Sequence, residues 1–226
     1  MSSVPSGNVP RMSAARLAGV AATLFANDAM TQRFRPYICP FEELLPIVPA
    51  GSSVLDVGCG GGLFLGLLAV EGGIRSGVGF DSSPSAIAVA QRMRRRAVEH
   101  GARATLDFQH RDAAAPWPEG TFDVVSVIDV MHHVPRRGQR SLFELAAARV
   151  GPSGLMIYKD IAGAPVWRAW ANRLHDLLVA RQWIDYVPID QVERWGADLG
   201  LALVDARAFN RYWYRHELRV FKRVQV

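Results

Sequence analysis

The chain has 226 residues, of which half are hydrophobic and 21% are charged. This length fits one domain with a sizeable core, and the composition is ordinary for a soluble globular protein. Two cysteines, Cys39 and Cys59, exclude a disulfide framework and a cysteine-rich metal site, and they agree with a reducing compartment. The net charge is +5, and four arginines cluster within residues 92–96, which predicts a solvated helix face or a surface that attracts anions.

The N-terminal region divides into a polar tail and an apolar segment. Residues 1–12 are rich in Ser, Pro, Gly and Asn, which predicts disorder. The apolar run Leu17–Ala26 follows two arginines and has the outline of a signal peptide, but we interpret it as a helix of the folded protein. The longest apolar stretch, Val54–Val70, contains Asp56 and five glycines, so no transmembrane segment is predicted.

Strand-like and helix-like segments alternate from about residue 53, which is typical of an α/β fold. The predicted elements, in chain order, are a strand at Ser53–Val57, a helix carrying Leu63, Phe64, Leu67 and Leu68, a strand at Ser76–Phe80, a helix from Pro84 to about His100 with Ser82 or Ser83 as its cap, and a strand at Ala104–Gln109.

The second half continues the alternation and ends differently. It is predicted to contain a buried central strand at Phe122–Ile128, a helix at Gly138–Val150, a turn at 151–154, a strand at Leu155–Tyr158, an amphipathic helix at Val166–Trp183, a helix at Asp190–Leu199, and strands at Leu201–Ala208 and Arg215–Arg223. The last two strands predict a hairpin that closes an otherwise parallel sheet.

Glycines 58, 60, 61 and 62 lie between the first strand and its helix. Glycine there allows a tight turn and a close approach of a ligand to the main chain, and the helix N-terminus presents free N–H groups. Dinucleotide-binding proteins use similar glycines, so this pattern alone is ambiguous.

Three carboxylates at successive strand ends make the prediction sharper. Asp81 ends the second strand, where a carboxylate can accept hydrogen bonds from a ribose diol, and Asp112 follows the third strand, where it can meet an adenine amino group. Asp56, beside the glycines, would repel a pyrophosphate but would attract the cationic groups of S-adenosylmethionine (SAM). A NAD-binding oxidoreductase is therefore disfavoured, and SAM, a cofactor made in the cytosol, predicts a cytoplasmic protein.

The sequence resembles the class I SAM-dependent methyltransferases. The matching segments are VLDVGCGGG (54–62), GFDSS (79–83), RDAAAPWPEGTFDVVSVIDVMHHV (111–134) and GPSGLMIYKD (151–160). The resemblance implies a Rossmann-like, doubly wound, seven-stranded sheet with helices on both faces, mostly parallel with an antiparallel last strand. It also implies SAM as cofactor, S-adenosylhomocysteine (SAH) as product and no metal.

The same resemblance assigns the cofactor contacts residue by residue. The methionine moiety would lie near Asp56, Gly58, Cys59 and Gly60, the ribose at Asp81 and Ser82, the adenine near Arg111, Asp112 and Ala113, and the sulfonium near Ile128 and Asp129, with Tyr37 closing over the ligand. The implied organisation is a tail at 1–12 followed by one domain at 13–226, in which the helices of 13–49 form a lid on the core of 50–226.

Residues that follow the fourth and fifth strands are candidates for the methyl-acceptor site, because ligands in open α/β sheets bind beyond the carboxyl ends of the strands. His132 and His133 can accept a proton near neutral pH, although either can instead only orient Asp129 or contact SAM. Lys159 is a third candidate, and an ion pair with no chemistry is an equally good interpretation of Lys159 and Asp160. Cys59 lies within the cofactor turn and is not a nucleophile.

The class of methyl acceptor is predicted from the absence of nucleic-acid methyltransferase motifs and from the aromatic residues of the C-terminal third. The segment Asp129–His132 lacks the Asn/Asp-Pro-Pro-aromatic motif of amino-methylating DNA enzymes, and no Pro-Cys nucleophile follows the fourth strand, so no nucleic-acid partner is expected. Aromatic and apolar residues after residue 165 can form the core or wall an apolar acceptor pocket. The prediction is O-methylation of a small apolar or aromatic acceptor, free or presented by an acyl carrier protein. The alternatives are a C-methyltransferase of a lipid-like or quinone-like substrate and a non-catalytic SAM-binding protein.

Overall fold

A computed structural model describes residues 12–26, 30–162, 185–211 and 214–224. The predicted helix at Val166–Trp183 and most of the predicted tail lie outside these residues, while Met12, the last residue of that tail, is buried. Across the described ranges, none of the helices combines the length and the apolar character that crossing a membrane requires.

Seven strands form one sheet with the order β3-β2-β1-β4-β5-β7-β6. Their bounds are β1 Ser53–Val57, β2 Ser76–Asp81, β3 Thr105–His110, β4 Phe122–Ile128, β5 Val150–Ile161, β6 Leu201–Arg211 and β7 Tyr214–Arg223. Strand β2 is parallel to β1 and to β3, whereas β7 is antiparallel to both β5 and β6. The predicted mixed sheet with an antiparallel last strand is confirmed.

The helices lie in sequence between these strands. They are α1 Ala14–Phe25, α2 Met30–Ile38, α3 Phe41–Leu44, α4 Leu63–Leu67, α5 Pro84–Glu99, α6 Arg136–Ala148 and α7 Ile189–Asp198. Two 3₁₀ turns occur at Leu45–Ile47 and Met131–His133, and a π turn at Leu68–Gly72 extends α4. Ser83 is the cap of α5, since its hydroxyl accepts a hydrogen bond from the Ala86 N–H, and Pro84 occupies the first helical position.

The described residues up to Val124 form one compact unit, in which helices α1, α4 and α5 pack together. The arginine cluster of α5 is only partly the solvated face that its charge predicts. Arg96 donates hydrogen bonds to the carbonyls of Leu24 and Phe25 at the end of α1, and Arg94 donates to the carbonyl of Leu106. Two of the four arginines therefore join elements of the fold instead of facing a partner.

The described residues from Val125 onward form the second unit, in which three aromatic rings pack together. The ring of Phe143 on α6 lies 5.6 Å from Trp195 on α7 and 6.0 Å, edge-on, from Phe221 on β7. The predicted turn at 151–154 is wrong as an interruption, because β5 runs through it to Ile161. Ser153 has φ 59° within that stretch, and the pairing with β7 extends from Leu155 to Ile161.

Candidate functional site

The glycine turn after β1 has left-handed backbone at three of its four glycines, with φ values of 65° at Gly58, 53° at Gly60 and 80° at Gly62. Gly62 precedes the first residue of α4. A Cβ atom at Gly62 would lie 2.8 Å from the Phe108 ring and 2.9 Å from Cε of Met93. Conformation and space together therefore require glycine at this position.

Asp81 connects the glycine turn to the end of β2. Its Oδ2 accepts a hydrogen bond from the Gly60 N–H at 2.9 Å, and its Oδ1 accepts one from the Ser83 N–H at 2.9 Å. The Cys59 N–H adds a main-chain bond to the Phe80 carbonyl at 3.0 Å. An ionised carboxylate has about four lone-pair positions, so Asp81 retains acceptor capacity for a diol while it shapes the turn.

Asp56, just before the glycine turn, and Cys59, within it, have side chains of different chemistry. Asp56 is buried within β1, with 3% of its surface exposed. Burial, followed by the charges of Asp56 and Asp81, raises the pKa of the Cys59 thiol well above its ordinary value. The thiol thus stays protonated at neutral pH, which agrees with its exclusion as a nucleophile.

Helix α2 lies against the glycine turn. A Cβ atom at Gly61 would lie 3.1 Å from Cδ of Gln32, and one at Gly60 would lie 4.0 Å from Nη1 of Arg35. Tyr37, the predicted closing residue, is on the same helix and is 36% exposed. Sequence reasoning missed Gln32 and Arg35, because the packing of α2 on the turn has no motif of its own.

Hydrogen bonds among its own residues stabilise the loop after β3. Asp112 Oδ1 accepts a hydrogen bond from the Ala114 N–H at 2.9 Å, and the Ala113 carbonyl accepts one from the Trp117 indole at 2.9 Å. The Arg111 side chain donates to the Pro116 carbonyl, while its N–H donates to the Asp81 carbonyl at 3.0 Å. The main-chain bond of Arg111 joins the start of this loop to the end of β2, and the bonds of Asp112 and Ala113 lie within the loop. Ser82, also predicted, is exposed, and its carbonyl lies 3.1 Å from Nε2 of His110.

These residues fit SAM by their chemistry. Unit 1 carries the left-handed glycine turn, the buried Asp56 carboxylate, and Asp81 with acceptor capacity at the end of the neighbouring strand. The carboxylates favour a cationic ligand, and the absent side chains at 58–62 leave the main chain accessible. The remaining two predicted contacts, Ile128 and Asp129, belong to unit 2.

Asp129 follows β4 and adopts left-handed backbone, with φ 57°. Its N–H donates a hydrogen bond to the Lys159 carbonyl at 2.8 Å, and Nζ of Lys159 donates to its Oδ1 at 2.5 Å. The Lys159 side chain is completely buried and that of Asp129 is 14% exposed. Lys159 thus forms an ion pair with Asp129 and not with Asp160, the partner that the sequence suggests, because Asp160 is bound to His132.

His132 is paired with Asp160. The His132 N–H donates a hydrogen bond to Asp160 Oδ2 at 3.1 Å, and Nδ1 of its ring contacts Asp160 Oδ1. Both side chains are buried, with 5% and 7% of their surfaces exposed. Burial lowers the pKa of His132, but the charge and hydrogen bond of Asp160, together with Asp129, outweigh it and raise the pKa above 6.5.

The neighbouring histidine has a different environment. His133 is exposed, and its ring lies 4.0 Å from that of His132. The chain turns between them in a 3₁₀ turn, so one imidazole points to the buried Asp160 while the other faces outward. Sequence alone gave both histidines the same weight, because the orientation of each ring depends on this turn.

Gln139 on α6 fixes the carbonyls around the histidine loop. Its Nε2 donates to Met131 at 3.2 Å, Val134 at 3.1 Å and Asp185 at 2.7 Å. The Asp185 N–H donates to the His132 carbonyl at 3.0 Å. In the described ranges, no group of three or more His, Cys, Asp or Glu side chains is placed to hold a metal ion.

His216 on β7 was also missed from the sequence. It is 1% exposed and pairs in register with Ile161. Burial and the charge of Lys159 lower its pKa to about 3, so the imidazole is neutral at physiological pH. Its place beside β5 follows from the antiparallel register, which has no sequence motif.

A methyltransferase domain family model matches residues 30–206, which is more than half of the chain. The chain belongs to the class I SAM-dependent methyltransferases. SAM is the cofactor of this family. The family assignment agrees with the sheet and the glycine turn described above.

Two ubiquinone biosynthesis O-methyltransferases illustrate how similar this methyltransferase is to characterised relatives. The protein from Xanthomonas axonopodis pv. citri is 27% identical over 184 residues, covering 79% of this chain and 74% of that protein. The protein from Vibrio campbellii is 33% identical over 111 residues, covering 49% of this chain and 44% of that protein. In several such relatives the match spans less than half of their length.

Among solved structures, the methyltransferase is similar to magnesium protoporphyrin IX methyltransferase from Synechocystis PCC 6803, which was determined with bound SAH. The TM-score is 0.64 at 18% identity, and the match covers 93% of this chain and 83% of the other. At this identity the similarity concerns the fold.

Proposed function

We propose that this methyltransferase transfers a methyl group from SAM to a hydroxyl oxygen of a small apolar or aromatic acceptor, releasing SAH. The observation that carries the proposal is the buried pair formed by His132, on the loop after β4, and Asp160, on β5. The two relatives described above are named O-methyltransferases of ubiquinone biosynthesis, which supports an aromatic hydroxyl as the accepting group.

In this proposal unit 1 binds the cofactor. Asp81 accepts hydrogen bonds from the ribose, the glycine turn lies along the methionine moiety, and Asp56 attracts its positive charge. Helix α2, through Gln32 and Arg35, covers the turn as part of the predicted lid of residues 13–49. When bound, SAM supplies an electrophilic methyl group on a sulfonium.

His132 is the proposed proton acceptor. The Asp160 carboxylate can only accept a hydrogen bond, so Nδ1 of His132 carries the proton and Nε2 keeps its lone pair in the neutral ring. The acceptor O–H bond breaks and its proton moves to Nε2, while the oxygen gains the methyl group. Asp160 then stabilises the imidazolium, as a carboxylate does beside a catalytic histidine.

The test compares His132→Gln with His133→Gln as the matched control. Proton removal by a positioned base contributes about 10²–10⁴-fold, so His132→Gln is expected to lower kcat for a catechol or hydroquinone acceptor at least 100-fold. The SAH dissociation constant from calorimetry should change less than about threefold, because His132 is not among the proposed cofactor contacts. Equal losses in both variants, or no loss in His132→Gln, would remove His132 as the base.

The pH profile gives a second measurement on the unmodified enzyme. Because Asp160 raises the pKa of His132 above that of an ordinary imidazole, kcat/KM should fall as the pH is lowered through this pKa and the ring becomes protonated. That acid limb should disappear in His132→Gln. A limb that persists unchanged in the variant would assign it to another group.

The assay offers each acceptor both free and attached to acyl carrier protein, because a chain of net charge +5 can attract an acidic carrier. Carrier presentation is supported if the bound form has the higher kcat/KM and if this advantage falls with salt. Mass spectrometry of the product then assigns the methyl group. A methyl on carbon would overturn O-methylation, and SAH binding without any product would leave a SAM-binding protein.

A further inference from the structure

The loop after β4 is bound by two consecutive residues of β5, each through two contacts. Lys159 accepts the Asp129 N–H at its carbonyl and donates from Nζ to Asp129 Oδ1. Asp160 accepts the His132 N–H at Oδ2 and contacts the His132 ring at Oδ1. The loop 129–133 is therefore fixed at both ends by the same strand.

Asp129 is the residue of this loop that most requires support. Its φ of 57° lies in the left-handed region, where L residues other than glycine are uncommon and where Asp and Asn are better tolerated than most. Such a conformation persists only where surrounding contacts determine it. Lys159 contacts both the main chain and the side chain of Asp129.

The Lys159 ammonium is committed to this pair by its burial. No part of the side chain is exposed, and a charge removed from water is stable only when a partner compensates it. The short contact to Asp129 supplies that partner. A lysine so held serves poorly as a proton acceptor, because losing its proton would leave the Asp129 carboxylate uncompensated.

We propose that Lys159 is a positioning residue, which holds Asp129 in its left-handed turn and so fixes the loop that carries His132. The proposal deepens the proposed function, and it rests on that function only where turnover is the readout. Lys159, a catalytic candidate by its place in the sequence, acts through Asp129 and not on the acceptor.

The first experiment needs no acceptor. Lys159→Met, which keeps an unbranched buried side chain, is compared with Lys222→Met, the same change at an exposed lysine of β7. Hydrogen exchange of the peptide that spans 129–134 should be at least tenfold faster in Lys159→Met and unchanged in Lys222→Met. Unchanged exchange in folded Lys159→Met, judged by circular dichroism, would overturn the proposal.

An NMR titration of His132 separates positioning from a general loss of packing. The charged and titratable groups described around His132 are Asp129, Lys159 and Asp160, which act on its pKa, His133, whose ring lies 4.0 Å away, and Asp185, whose N–H is bonded to the His132 carbonyl. Lys159 opposes protonation of His132, whereas Asp160 and Asp129 favour it. Loss of the ammonium charge alone would move the His132 midpoint to higher pH, whereas a loosened loop weakens the Asp160 contact and moves the midpoint lower. A lower midpoint in Lys159→Met is therefore expected of a positioning residue, and a midpoint that stays or rises would count against the proposal.

A double variant provides the kinetic test and covers the risk that Lys159→Met does not fold. Asp129→Asn with Lys159→Met leaves no unpaired charge, and Asn tolerates left-handed backbone. Lys159→Met should lower kcat about 10- to 100-fold, and the double variant should lose no more than that, since both changes break one contact. A much larger loss of kcat in the double variant than in Lys159→Met would show that Lys159 acts on the acceptor itself. Full activity of His132→Gln would refute the proposed base while the exchange result for Lys159 stood.

Discussion

At Gly62, a single methyl group decides whether the turn before α4 can form. The backbone there has φ 80°, and the nearest atoms of Phe108 and Met93 leave no room for a Cβ. Gly51 has a similar φ of 75° but has no atom within 4 Å of an added Cβ. The two glycines therefore separate the cost of conformation from the cost of space.

Gly62→Ala is expected to lower the free energy of unfolding by about 2–5 kcal/mol, because left-handed strain of about 1–2 kcal/mol adds to overpacking of about 1–3 kcal/mol. Gly51→Ala should cost only the strain. Urea unfolding of both variants measures the difference. Equal costs would mean that the core around Phe108 relaxes without penalty.

Single residues also show where sequence reasoning stops. The type and place of Asp81 could be predicted, because a carboxylate at the end of the second strand has a chemical reason that the chain order reveals. Its bond to the Gly60 N–H could not be predicted, because it depends on the path of the turn. The same holds for Asp160, whose contact with His132 arises from residues 28 apart in sequence.

At the scale of the elements, Arg96 of α5 joins this helix to the C-terminal end of α1. Arg96 donates to the Phe25 carbonyl at 3.1 Å and to the Leu24 carbonyl at 3.4 Å, where a helix C-terminus has carbonyls without intrahelical partners. Its positive charge is also favourable at that end of the helix dipole. The run 92–96 thus contributes to the fold as well as to net charge.

Arg96→Ala should destabilise the protein by about 1.5–3 kcal/mol, the range for hydrogen bonds with a charged partner. Arg95→Ala, at an exposed position of the same helix, should change stability by less than about 0.5 kcal/mol. Thermal unfolding of the two variants at equal salt provides the comparison. If Arg95→Ala were the more destabilising change, the helix-end role of Arg96 would be wrong.

Strands that are flanked by turn-forming or polar residues were predicted with their observed limits, as at Ser53–Val57 and Phe122–Ile128. There the apolar runs end at glycine or at polar residues, so composition and structure agree. Strand β5 was predicted too short, because Gly-Pro-Ser-Gly is typical of a turn. Pairing with β7 extends β5 beyond Tyr158, and this long-range contact is not visible in a local pattern.

At the scale of the whole molecule, strand order was the property least accessible from residues alone. Alternating elements indicate an α/β fold, but the order β3-β2-β1-β4-β5-β7-β6 could be expected only through family resemblance. The pairing that puts His216 next to β5 belongs to the same closing hairpin. Its environment has a consequence for the stability of the entire chain.

His216 should make the protein sensitive to acid. Its pKa is about 3 in the folded protein and near 6.5 when unfolded, so below pH 6.5 the unfolded chain binds a proton that the folded chain does not. Stability from this group is present above pH 6.5 and is lost as the pH falls toward 3. Between pH 7 and pH 5 the loss is about 1–2 kcal/mol.

The measurement is urea unfolding at pH 7 and pH 5 for the unmodified protein and for His216→Gln. The variant should lose less stability between the two pH values, whatever its stability at pH 7. An identical pH dependence would show that His216 has the same pKa in the folded and the unfolded protein. His132, whose pKa is raised, works in the opposite direction and is unchanged in this comparison.

The burial of both thiols has a practical consequence for labelling. Cys39 and Cys59 are the only cysteines of the sequence, and they are 1% and 8% exposed. Thiolates are the species that react with peroxide and with maleimides, and the raised pKa of Cys59 keeps that form scarce. A cysteine introduced at an exposed position such as Val98 would therefore carry a fluorophore or spin label with little competition from the native thiols. The unmodified sequence can thus serve as the background for distance measurements in solution.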